Sequence, residues 1–168
     1  LIYMEKNSDA KVVEMDTVYN DISNGPFLQT FKFREYDLLI CIYQTVKDSL
    51  HMLDGILLLE KILGKEMFEK EVEVILTDRG SEFILAEEAE IREDGMRRTR
   101  MFYCDSMASW QKGSLENVHL LVREICPKGC DLHALGLTSQ EKANLISTNI
   151  NSYPKEKLHG RSSIQLLH

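Results

Sequence analysis

Apolar and polar residues alternate near the start of the chain, give way to a helical period, alternate again, and finish on helical periods. Residues 11–15 (KVVEM) are a short β-branched run. Residues 29–33 set Phe31 and Phe33 against Thr30 and Lys32, and residues 37–43 are a further apolar run, with Ser23-Asn24-Gly25-Pro26 and Arg34-Glu35-Tyr36 as breaks. Three neighbouring strands in a meander are predicted. Asp48 or Ser49 then caps a helix in which Leu50, Leu53, Ile56, Leu57, Glu60 and Leu63 recur at helical spacing as its core face, until Gly64 stops it. Residues 71–77 alternate Val72, Val74 and Leu76 against Glu71 and Glu73, which predicts a fourth strand, and residues 99–104 predict a fifth. A short acidic helix over residues 86–93 separates them. Leu115, Val118, Leu121 and Val122 mark a helix over residues 114–125, closed by Pro127. Thr138 and Glu141 form a capping box that opens a last helix towards Asn151, ended by Pro154.

Strands first and strand–helix alternation later indicate an antiparallel meander joined to parallel crossovers. The expected fold is α/β: a ribonuclease H-like mixed five-stranded sheet flanked by helices. The 168 residues, 43% hydrophobic and 28% charged, suffice for one core and thus a single domain over residues 1–168. The longest apolar stretch, residues 55–59, is interrupted by Glu60 and Lys61, far short of the roughly 20 residues that span a bilayer, so no membrane partner is expected. Absence of an initiator Met and of a leader pattern suggests a fragment of a longer chain. Cys41, Cys104, Cys126 and Cys130 do not form a dense framework, which favours a reducing compartment and a cytoplasmic location. Cys126, Cys130 and His133 have a zinc-like spacing but no evident fourth ligand, and read as ordinary thiols after a helix.

The net charge of −7 argues, alone, against a nucleic-acid partner. The charge is uneven, however: Arg92, Arg97, Arg98 and Arg100 cluster in one segment, and Lys155, Lys157 and Arg161 in another. Each is a possible basic patch or a solvated loop.

Three acids occupy element ends. Asp16 is expected just after the first strand, Asp78 just after the fourth, and Glu116 in the first turns of the helix after the fifth. Singly, each has a plain role: turn formation for the aspartates, helix-dipole complementarity for the glutamate. If the first and fourth strands are neighbours, the three can share one site. Clustered carboxylates call for cations, and hard oxygen donors suit Mg²⁺ or Mn²⁺, two of which can drive phosphoryl transfer.

The stretches EMDTV (14–18), LTDRGSEF (76–83) and YCDSMASWQKGSLENVHLLVREICPKG (103–129), with the tail NSYPKEKLHGRSSIQLL, resemble DDE transposases of the insertion-sequence-thirty family, which carry an integrase-type catalytic core. The resemblance runs from about Val12 to Leu167. It implies that Asp16, Asp78 and Glu116 are the catalytic, metal-binding acids, holding two Mg²⁺ or Mn²⁺ ions. It implies DNA partners (transposon ends and target), hydrolysis that exposes a 3′ hydroxyl followed by strand transfer, and a homo-oligomer in the active complex. Arg123, seven residues after Glu116, matches the family's basic residue and is expected to meet DNA, as are Gln111 and Lys112 beside Trp110. The family carries a helix-turn-helix region ahead of this core, expected to be absent here. Ser106 and Ser163 stand where the family commonly has Pro, and His119 where it has Asn. Two other readings stay open: a catalytically silent remnant acting as a DNA-binding or oligomerisation scaffold, and a ribonuclease H-like nuclease without strand transfer.

Overall fold

The structure, a computed structural model, describes residues 3, 6–19, 25–78, 85–104, 122–127 and 131–166. Five strands form one sheet in the order β3-β2-β1-β4-β5. They are β1 (Val12–Val18), β2 (Phe27–Phe33), β3 (Leu38–Gln44), β4 (Val74–Asp78) and β5 (Arg100–Cys104). The first three pair antiparallel, and β4 and β5 add to β1 in parallel. This is the expected mixed sheet.

Several boundaries differ from the expectation for physical reasons. β1 runs on through β-branched Thr17 and Val18, because Val18 pairs with Leu28 and both are buried, so Asp16 lies inside the strand rather than after it. Residues 71–73 are not strand. α1 (Ser49–Leu63) is followed, past Gly64 at φ 81°, by α2 (Lys65–Glu71). Glu71, Val72 and Glu73 mimic strand alternation, yet Phe68 and Val72, four residues apart, are the pair that is buried. α3 (Ala86–Glu90) ends early, where Ile91 bridges back to Arg97. Only residues 122–125 of the predicted 114–125 helix fall among the described residues, and they are helical.

α1 is capped by Asp48, one of the two candidates, which accepts from the His51 amide; its inward face keeps Ile56, Leu53 and Leu63 of the predicted stripe but is rotated away from the rest. Met52, Gly55, Ile56 and Leu59 are buried, whereas Leu50 and Leu57 are exposed. The helix is apolar nearly all round, so periodicity could not choose. Contact chose it: a Cβ on Gly55 would meet the Gln29 amide oxygen at 1.7 Å, so a larger residue there would have to displace that hydrogen-bonded side chain. Gln29 in turn donates to the Met52 carbonyl at 3.0 Å and accepts from Gln44.

One face of the sheet, carrying Val13, Met15, Phe31 and Ile75, is covered by Ile56, Leu59, Phe68 and Ala89 from α1–α3. On the opposite face, Val18, Leu28, Leu39 and Cys41 pack on Val122, Cys126 and α4 (Gln140–Ser152), and Val12, Val74, Leu76 and Cys104 form a smaller cluster beside them. The N-cap of α4 is Ser139 rather than Thr138. That register places Gln140, Ser147 and Asn151 along the free edge of β3. There the Asn151 amide both accepts from and donates to Leu39, Ser147 accepts from the Cys41 amide, and Gln140 accepts from the Tyr43 amide and donates to the Cys41 carbonyl. A helix thus satisfies an edge strand's backbone. Beyond it, a 3-10 turn (Glu156–Leu158) and α5 (Ser163–Leu166) complete the fold.

Candidate active site

The parallel register of β1 on β4 is Val12 with Val74, Val13 with Ile75 and Glu14 with Leu76. Asp16 and Asp78 each lie two residues beyond that last pair, so alternation sets them side by side on the same face. Across the sheet, Asp16 is flanked by Thr30 and Asp78 by Cys104. This is the face packed by Val122 and Cys126. Asp78 is exposed and Asp16 half-buried. Asp16 Oδ1 accepts from the Thr17 amide at 2.7 Å, and its carbonyl accepts from the Thr30 hydroxyl at 3.2 Å, which tie the residue to its strand neighbours. The expected adjacency of the first and fourth strands is therefore present, and it brings these two acids together. Glu116, Gln111 and Lys112 lie outside the described residues, as do Trp110 and the departures Ser106 and His119.

Beneath the two acids, on the same face, Glu14 is fully buried and ion-paired to the Arg34 guanidinium. The role of Glu14 was not anticipated, although strand alternation places it under Asp16. Two contacts at the end of β1 were also not anticipated. The Lys47 ammonium lies 3.8 Å from the centroid of the Tyr19 ring, and Arg123 Nη2 donates to the Tyr19 carbonyl at 2.9 Å. Neither is readable locally, since Tyr19 and Arg123 are 104 positions apart.

The basic segment after α3 is internally committed. Arg92 and Arg98 both grip Glu60 of α1, at 2.6 Å and 2.7 Å, and Arg92 also reaches Glu69 at 2.8 Å. Arg98 additionally donates to the Glu88 and Ala89 carbonyls. Burial alone would raise the Glu60 pKa, but the two guanidiniums outweigh it and hold the carboxyl below its ordinary value. Arg97 lies 3.4 Å from Glu90, and Arg100 stacks over Tyr3. In the C-terminal cluster, Lys155 is anchored by Asp37 at 3.1 Å and by Ser163, which is itself buried and donates to the Asp37 carbonyl. A hydroxyl at position 163 thus has a partner that a proline could not supply. Lys32, fully buried, lies 2.5 Å from the same Asp37 carboxylate. Desolvation dominates there and lowers the Lys32 pKa to about 8 in spite of Asp37.

Among the described residues no group of three His, Cys, Asp or Glu is gathered at metal-ligand range. Cys126 is buried in an apolar cluster, its thiol pushed up by desolvation, while His133 is exposed and Cys130 lies outside the described residues. The donor set at the strand ends is different in kind: two carboxylates on one edge, hard oxygen donors that fit Mg²⁺ or Mn²⁺ and suit zinc or copper poorly.

The fold is the ribonuclease H-like one of integrase catalytic cores. The catalytic core domain of BIV integrase superposes with a TM-score of 0.62 at 14% identity, covering 92% of this chain and 91% of that one. The HTLV-2 integrase catalytic core domain in complex with magnesium, in its dimeric form, gives 0.56 at 15% identity, covering 94% of each. The sequence itself is similar to the transposase for insertion sequence element IS1086 of Cupriavidus metallidurans, 37% identical over 68 residues, or 40% of this chain. That stretch spans only 19% of the transposase. No family model matches. Among the described residues no helix is long and apolar enough to cross a membrane.

Proposed function

We propose that this chain is the catalytic core of a DDE transposase of the insertion-sequence-thirty family, which cuts and joins DNA strands at the ends of a mobile element. The observation that carries the reading is the β1–β4 register, which aligns Asp16 and Asp78 on one face at the carboxyl ends of parallel strands. Similarity to a transposase and the integrase-core fold support it. In this reading Asp16 and Asp78 supply oxygens to two Mg²⁺ or Mn²⁺ ions, and Glu116 completes the set from the predicted helix. When bound, such ions activate an attacking hydroxyl or water and stabilise the leaving oxygen. The chain's own contribution is orientation. Sheet hydrogen bonding fixes the backbone of both aspartates, and Glu14 with Arg34 makes a rigid floor beneath them. Gln111 and Lys112 meet DNA, as either strand end or target, and the active form is a homo-oligomer working in the cytoplasm.

The test is cleavage of DNA carrying the element's ends by the full-length transposase with Mn²⁺. Asp78→Asn and Glu116→Gln should each lower the rate by roughly 10³-fold or more, since several kcal/mol of transition-state stabilisation is at stake. Undiminished cleavage by either variant overturns the assignment, and preference for an RNA–DNA hybrid with no strand-transfer product would favour the nuclease reading.

A further inference from the structure

We infer that residues 155–166 form a strap latched on Asp37, which opens while the sheet stays folded and is held more firmly once the buried Lys32 ammonium gives up its proton. The strap braces itself. Its Lys155 amide donates to the Arg161 carbonyl at 3.0 Å, its Gly160 amide to the Lys155 carbonyl at 3.0 Å, and Ser162 and Gln165 cap α5 by exchanging bonds. It gives the core little apolar surface, since Glu156, Lys157, His159, Gly160 and Arg161 are exposed around a buried Leu158. Segments of that kind open locally ahead of the whole fold. The grip on the β2–β3 turn is polar and converges on one residue. The Asp37 carbonyl accepts from the Lys155 ammonium at 2.5 Å and from the Ser163 hydroxyl at 2.7 Å, and the Asp37 carboxylate lies 3.1 Å from the same ammonium.

That carboxylate is contested. Lys32 of β2, fully buried, lies 2.5 Å from its other oxygen, so two ammoniums share one counter-charge. Around Lys32 stand Asp37 in the turn, Lys155 and Lys157 on the strap and, at the paired position of β1, Glu14 with its partner Arg34. Desolvation and, after it, the strap's two lysines lower the Lys32 pKa to about 8 against the pull of Asp37. Opening the strap takes those lysines away and admits water, so the open form binds the proton more tightly than the closed one. By linkage, raising the pH through 8 favours closure.

Amide exchange of the full chain, expressed residue by residue as protection factors, tests both halves. Lys155→Met removes the strap's side of the latch and leaves Lys32 paired with Asp37. Residues 155–166 should then exchange about tenfold faster, as loss of a charged hydrogen bond implies, with β1 and β4 protected as in wild type. Equal acceleration in β1 and β4, or wild-type exchange in the strap, would overturn the proposal. In wild type, protection of residues 155–166 should rise about tenfold from pH 7 to pH 9, the ratio set by a pKa of about 8 when closed and an ordinary 10.5 when open. Lys32→Met should remove that rise. A flat wild-type profile, or the same rise without Lys32, sinks the proton-linked half. Where Lys32→Met does not fold, Lys32→Arg, whose charge does not titrate in this range, makes the same comparison.

Discussion

Around Glu60, acids and arginines alternate in space: one carboxylate faces Arg92 and Arg98, and Arg92 has Glu69 on its other side. At the carboxyl ends of β1 and β4 the same kind of side chain is instead repeated, Asp16 beside Asp78, both on one face. The first arrangement joins α1 to the segment after α3 and is a structural cross-link. The second sets like charges next to each other, an arrangement that lowers stability unless counter-charge is supplied. Local composition left the arginine-rich segment as either a basic patch or a solvated loop, and could not show that its arginines are spent on structure. Neutralisation by partners distant in sequence is what makes the charge of Arg92 and Arg98 structural.

That contrast can be broken from either side. The largest effect expected is on activity, the roughly 10³-fold loss in Asp78→Asn or Glu116→Gln. Next, Glu60→Ala should cost about 3 kcal/mol of stability, because two mostly buried guanidiniums lose their shared carboxylate. A Glu60→Ala melt indistinguishable from wild type would show the clamp to be decorative.

A third prediction concerns pH. Lys32 has a folded pKa of about 8 against an ordinary 10.5, so between those values the unfolded chain binds more protons and stability rises with pH. The ammonium's burial cost is carried in full below pH 8 and is relieved above it. Wild type should therefore gain on the order of 2 kcal/mol relative to Lys32→Met between pH 7 and pH 10, measured by urea melts at the two pH values. Asp37 and Glu60, both held below their ordinary values, act at the acid end: their stabilisation is present above the unfolded pKa and is lost as pH falls through the folded one. The smallest effect is expected at the sheet edge, where Asn151→Ala leaves the buried Leu39 amide and carbonyl without their side-chain partners and should cost about 1–3 kcal/mol. Amide exchange at Leu39 would report it directly.

Much of the architecture was legible in the chain. Apolar and β-branched runs together with period-two alternation located all five strands, and Gly64 with Asp48, one of two candidate caps, bounded α1 because caps are local chemistry. Failures came where local signals were degenerate. The alternation of residues 71–73 hid the end of a helix, the leucines of α1 offered several faces, and Thr138 and Ser139 were equally good caps. In the site, Asp16 and Asp78 were singled out as candidates by their places near strand ends together with the family resemblance, whereas Glu14 with Arg34, Lys47 on Tyr19, and Arg123 on Tyr19 were not legible.

What the sequence determined by itself is the five strands, the principal helices and the placement of acids near the ends of β1 and β4, because hydrophobic period and turn chemistry act over a few neighbouring residues. The tertiary structure alone decided which strands adjoin, which face of α1 is buried, and which cations are already engaged. Those outcomes depend on contacts between residues dozens of positions apart, whose energies no local window contains.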